Sequence, residues 1–167
     1  MKKLFLLGLM LTHQAFAAQI TPQDIVGEWS CKIQYPEMKI HTIDLIEYQA
    51  DGTSVGTGYL FLTDLLAYET QHTGKWTLNN NILSETSNDY STIPIHSDKT
   101  MKRIATDPEF KQWEANFYTD LKKGNNSGES VNLQIHQLVG DTMSIEHIMD
   151  EKRKFAGICQ KRVITNE

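Results

Sequence analysis

From Val26 to Tyr35 apolar and polar side chains alternate: Trp29, Cys31, Ile33 and Tyr35 share one parity, and Glu28, Ser30, Lys32 and Gln34 the other. That period of two belongs to a strand with one face in a core. Ile40 to Tyr48 predicts a second strand, although Ile43 and Leu45 fall on one parity and Ile46 and Tyr48 on the other. A bulge, or burial of both faces, accounts for such a change of phase. Asp51-Gly52 then marks a tight hairpin turn, since Gly tolerates positive φ. In the third strand Val55, Thr57, Tyr59 and Phe61 are expected inward, with Gly56 and Gly58 outward, where they ease the coiling of a small barrel. The fourth strand turns Tyr68, Thr70, His72, Gly74, Trp76 and Leu78 inward. After a turn at Asn79 to Asn81, a weaker fifth strand covers Ile82 to about Tyr90.

The period then changes. Asp107-Pro108-Glu109 is a helix start, with an N-cap, Pro at the first helical position and an acid in the first turn. Phe110, Trp113, Phe117 and Leu121 recur at helical spacing, and Lys122-Lys123-Gly124 supplies a basic last turn and a stop. Alternation resumes with Val131, Leu133 and Ile135, turns at Gly140-Asp141, continues through Met143, Ile145, His147 and Met149, and ends with a run from Phe155 to Val163. The pattern predicts a mainly β fold: an eight-stranded antiparallel up-and-down β-barrel with one α-helix inserted between strands five and six.

The only two cysteines, Cys31 and Cys159, lie on the first and last strands. A bond between them sets those strands side by side, as closing a sheet into a barrel requires; free reactive thiols are the alternative. In that register Trp29 faces Lys161 and Glu28 faces Arg162. Three of the connections are short turns and close one end of the barrel. The helix therefore belongs at the other end, where Phe110, Trp113, Phe117 and Leu121 form either a lid over a cavity or a plug that completes the core.

Met1-Lys2-Lys3, the apolar run Leu4 to Leu11 and the small-x-small site Ala15-Phe16-Ala17 read as a secretory signal peptide over residues 1–17, leaving one barrel domain over residues 18–167. No cysteine follows the cleavage site, so no lipid or other membrane anchor is expected, and the protein is placed in the periplasm or outside the cell. Without Lys2 and Lys3, 14 basic residues stand against 21 acidic ones, a net charge of −7. That balance disfavours a nucleic-acid partner or an anionic membrane surface.

No Gly-x-Ser-x-Gly, His-Glu-x-x-His, phosphate-loop or dinucleotide fingerprint is present, so no catalytic residue, cofactor or metal ligand is assigned and the protein is not expected to be an enzyme. Of the histidines after the leader, His72 and His147 fall on the inward parity. They are either satisfied core residues or polar handles for a ligand.

Gly27-x-Trp29 at the start of such a barrel resembles the N-terminal signature of the lipocalins and of bacterial lipocalin-like proteins. The resemblance implies a Trp closing the base of the cup with a basic residue, here Lys161 or Arg162, packed across it. It also implies a small, apolar or amphipathic ligand in the barrel, for which Tyr59, Phe61, Tyr68, His72, Ile135, Met143 and His147 are the wall candidates. The other reading is an inhibitor or immunity protein whose mouth loops engage a secreted or periplasmic protein. An enclosed apolar pocket of about 300 Å³ or more favours the carrier, and a filled core favours the protein partner.

Overall fold

The computed structural model describes residues 19–162 apart from 64, 126, 127 and 129. The first 17 residues, expected to be a leader, and Asp64 and Val163, expected in a mouth connection and in the last strand, lie outside them. Eight antiparallel strands close into a barrel: β1 (Gly27–Tyr35), β2 (Ile40–Tyr48), β3 (Thr53–Leu62), β4 (Leu66–Asn79), β5 (Ile82–Pro94), β6 (Ser130–Val139), β7 (Thr142–Ile148) and β8 (Lys154–Lys161). Each strand pairs with the next, and β8 returns to β1 with Cys31 opposite Cys159 and Trp29 opposite Lys161. The cysteines form a disulfide.

The base is closed by a short helix, α1 (Pro22–Ile25), and by the tight turns. Gly52 at φ 84° and Asn80 and Asn81 at φ 49° and 59° supply the left-handed backbone those turns need. Ile25 and Trp29 are wholly buried there, and the Trp29 indole N–H donates to the Ile25 carbonyl at 2.7 Å. Lys161 takes the basic role, its ammonium 5.3 Å from the Trp29 ring centroid, while Arg162 pairs with Glu28 at 3.4 Å. Tyr48, Trp76, Leu83, Ile135, Met143 and Ile145 complete this base core.

Two bulges reset the inward phase. Asn88 is the extra residue of β5 opposite Thr73 and Gly74, and His136 is the extra residue of β6. No bulge interrupts β2. Its even positions face the barrel interior, and Ile43 and Leu45 on the other face are half-buried, which is the second of the two explanations for the mixed phase.

The mouth carries two helices, where one was expected. α2 (Asp98–Thr106) starts at Ser97, whose hydroxyl accepts the Thr100 amide, and α3 (Pro108–Asn125) starts at Asp107, whose carboxylate accepts the Phe110 amide at 3.0 Å. α2 is anchored by the Thr100 hydroxyl, which donates to the Leu65 carbonyl at 2.7 Å. α3 is anchored on Tyr68. The Tyr68 hydroxyl donates to Glu114, its ring stacks on Tyr118, and the Tyr118 hydroxyl donates to the Thr92 carbonyl. Leu62, Leu66, Tyr68 and Phe110 form the buried centre of this second cluster, with Phe117 and Leu121 packed against it.

Candidate functional site

Between the base core and the mouth cluster the barrel is not filled. A cavity of about 210 Å³ remains, roofed by Leu60 and by Leu121 of α3. Its two sides differ in kind. The contiguous strands β2 to β5 contribute Thr42, Asp44, Thr70, His72, Glu85, Ser87 and Tyr90 together with the apolar Ile46, Leu60 and Leu83, whereas β1 and β6 on the far side contribute Ile33, Cys31, Val131 and Leu133. Tyr35 and His147 are the polar exception on the apolar side, and they satisfy each other with 2.9 Å between the Tyr35 hydroxyl and His147 Nδ1. Burial holds His147 below its ordinary pKa, which favours the neutral imidazole in this pair.

The polar side is organised by two inward glycines. A β-carbon at Gly56 would lie 2.4 Å from His72 Cε1, and one at Gly58 would lie 2.6 Å from both Asp44 Oδ1 and Thr70 Oγ1. The missing side chains are the space that the imidazole and the carboxylate occupy. His72 Nε2 is then 3.2 Å from Glu85 Oε1, which also accepts the Ser54 hydroxyl at 2.5 Å, and the Tyr48 hydroxyl approaches the other carboxylate oxygen at 3.5 Å. His72 and Glu85 are each only 7 % exposed, and the Tyr90 ring stacks on His72.

Asp44 lies inside the barrel wall, and the part of it that stays accessible borders the cavity. Burial raises its carboxyl pKa from 3.8 to about 6; the Thr42 hydroxyl and His72 oppose the rise, and the Glu85 carboxylate adds to it. Because the folded protein holds this proton more tightly than the unfolded chain, stability falls as pH rises from about 4 to about 6, and above that the ionised group costs the fold on the order of 3 kcal/mol. The same burial, with Asp44 and Glu85 nearby, raises Tyr90 to about 12.

Of the residues expected to line a site, His72 and His147 border the cavity from inward positions, and Tyr59 touches it although it stands on the outward parity of β3. Ile135 and Met143 are in the base core below it, and Tyr68 belongs to the mouth cluster above it, where it holds α3. Phe61 is on the outer face, stacked on His41, because β3 has the opposite phase from the one its aromatic residues suggest. Its even positions Ser54, Gly56, Gly58, Leu60 and Leu62 face inward. In α3 Phe110 is buried, Phe117 and Leu121 are half-buried against the mouth, and Trp113 is 42 % exposed at the edge of the stripe, against the Phe110 ring. Trp113 is therefore not part of the cover. The barrel-facing stripe runs through Phe110, Glu114, Phe117, Tyr118 and Leu121 instead.

Asp44 and Glu85 carry the site and were not among the expected residues. The signal was present, since Asp44 shares parity with Ile46 and Tyr48, and Glu85 with Leu83. His96 was also missed; its side chain is buried, with Nδ1 accepting the Ala67 amide and Nε2 lying 3.3 Å from Glu114.

The glycine contact gives a direct test of this packing. Gly56→Ala is expected to destabilise by about 1 to 3 kcal/mol, as overpacking does. In a His72→Ala background, where the imidazole is gone, the same change should cost less than half as much in urea unfolding. Additive effects would mean that the ring does not occupy the space beside Gly56.

Among the described residues no group of three or more His, Cys, Asp or Glu is arranged to hold a metal ion, and no helix is long and apolar enough to cross a membrane. No protein-family model and no curated protein sequence matches the chain. The functional reading therefore stands on the barrel and its cavity.

Proposed function

We propose that the protein is an exported, lipocalin-like carrier that holds one small amphipathic molecule inside the barrel, beneath α3, and performs no catalysis. The observation that supports this is the unfilled cavity with an acidic side and an apolar side. An eight-stranded barrel is narrow enough for its own side chains to fill, yet here two inward glycines leave room for polar groups that border open space. At about 210 Å³ the cavity is neither the filled core expected of a protein-binding inhibitor nor the pocket of about 300 Å³ expected of a carrier. The carrier reading is therefore confined to a ligand no larger than a single substituted ring or a short chain. Export is supported by the leader-like first 17 residues and by the disulfide, which is at home in an oxidising compartment.

The way in is over β5. This strand pairs with β6 only from Ile82 to Thr86, so among the described residues its upper part pairs with β4 alone, and Leu121 of α3 borders the cavity. A lid there should open locally. Hydrogen exchange is expected to show α3 amides opening well below the free energy of global unfolding. Exchange of α3 only through global unfolding would make the helix a plug and favour the second reading, a protein-binding inhibitor. That reading has its own support: Ile93, Ile95, Met101 and Trp113, all on the segment from the end of β5 through α3, are exposed.

A further inference from the structure

The donors on the polar side of the cavity are one imidazole and the hydroxyls of Thr42, Thr70, Ser87 and Tyr90, none of which carries a fixed positive charge. Its two carboxylates, Asp44 and Glu85, face one imidazole, and among the described residues no lysine or arginine borders the cavity. Glu85 is provided for by Ser54, Tyr48 and His72. Asp44 forms no ion pair among the described residues. In the neutral tautomer whose Nε2 donates to Glu85, Nδ1 is an acceptor; it has no hydrogen-bond partner, although His72 is only 7 % exposed. A buried acceptor left unmet costs free energy that a donor-bearing ligand recovers.

We infer that the ligand is a small organic cation, a primary amine whose ammonium group binds at Asp44 and His72 and whose hydrocarbon part lies against Ile33, Val131 and Leu133. The inference rests on the carrier reading and narrows it. An ammonium offers three donors and one positive charge, matching a carboxylate that has no ion pair and, in its acceptor tautomer, the unmet imidazole nitrogen. An anion would add a third negative charge to the enclosed side, and a neutral alcohol would leave the Asp44 charge uncompensated. The apolar side accepts a ring or short chain, which excludes ammonium itself and inorganic cations as the best fit.

Isothermal titration of the full-length mature protein at neutral pH decides this with two matched series: 2-phenylethylamine, 2-phenylethanol and 3-phenylpropionate, and hexylamine, hexanol and hexanoate. Each amine should bind about tenfold or more tighter than its alcohol, with the acids weakest, as a charge-assisted hydrogen bond in a closed site requires. Asp44→Asn should remove that preference and leave alcohol affinity within about twofold. Thermal melting establishes that the variant is folded, and if it is not, the comparison of amine with alcohol on the unaltered protein decides alone. Equal binding of amine and alcohol, or preference for the acids, would overturn the cation while leaving a carrier. Failure of all six compounds to bind a cooperatively folded protein would overturn both.

Discussion

Replacing Trp29 with alanine is expected to destabilise the protein by about 3 to 5 kcal/mol, the cost of truncating a large aromatic in a core. Trp29 has no exposed surface, packs beneath the base core, and joins three elements: its own strand, the Ile25 carbonyl of α1 and the Lys161 ammonium of β8. Alanine would leave a cavity at the barrel floor and strand the Ile25 carbonyl. Urea unfolding of the variant measures the loss, and a value under 1 kcal/mol would contradict the role of Trp29 as the floor. Trp29→Phe should recover part of the packing and none of the hydrogen bond.

Removing the disulfide is the second large effect. Cys31 and Cys159 are 128 residues apart, and loop-closure entropy for a bridge of that span sets an upper figure of about 4 to 5 kcal/mol. Replacing both cysteines with alanine should cost about 2 to 5 kcal/mol, with β1 and β8 still paired through their backbone ladder. Non-reducing peptide mapping should find the two joined within one chain. Two free thiols in protein made in an oxidising compartment, or a double variant as stable as the parent, would contradict a structural bridge.

The barrel was legible in the sequence because β1, β4, β6 and β7 each present unbroken alternation over their buried lengths, and because short turns and one long excursion assign the two ends. The cysteine positions alone yielded the β1 to β8 register, down to Trp29 opposite Lys161. β3 misled for a physical reason. Its larger side chains Tyr59 and Phe61 lie on the outer face, while the inward positions Gly56 and Gly58 are small to admit groups from neighbouring strands. A hydropathy pattern registers what a residue is and not what an absent side chain makes room for. The same blind spot hid the site: Asp44 looks like an interruption in an apolar run until His72, Thr70 and the glycines are placed around it. α2 was missed because Met101 and Ile104 are its only large apolar residues and Met101 is exposed, so there is no stripe to detect. Trp113 was misassigned because it fits a spacing of three and four from Phe110 and Phe117, whereas the stripe that meets the mouth passes through the polar residue Glu114.

The central claim, a small molecule held inside the barrel, is tested most directly by native mass spectrometry of the protein purified without denaturation from the cells that make it. The account predicts a discrete mass excess from one small, amine-bearing compound, lost on denaturation and diminished in an Asp44→Asn variant prepared in the same way. A protein that flies at its bare chain mass, or that carries a second polypeptide in place of a small molecule, would contradict it.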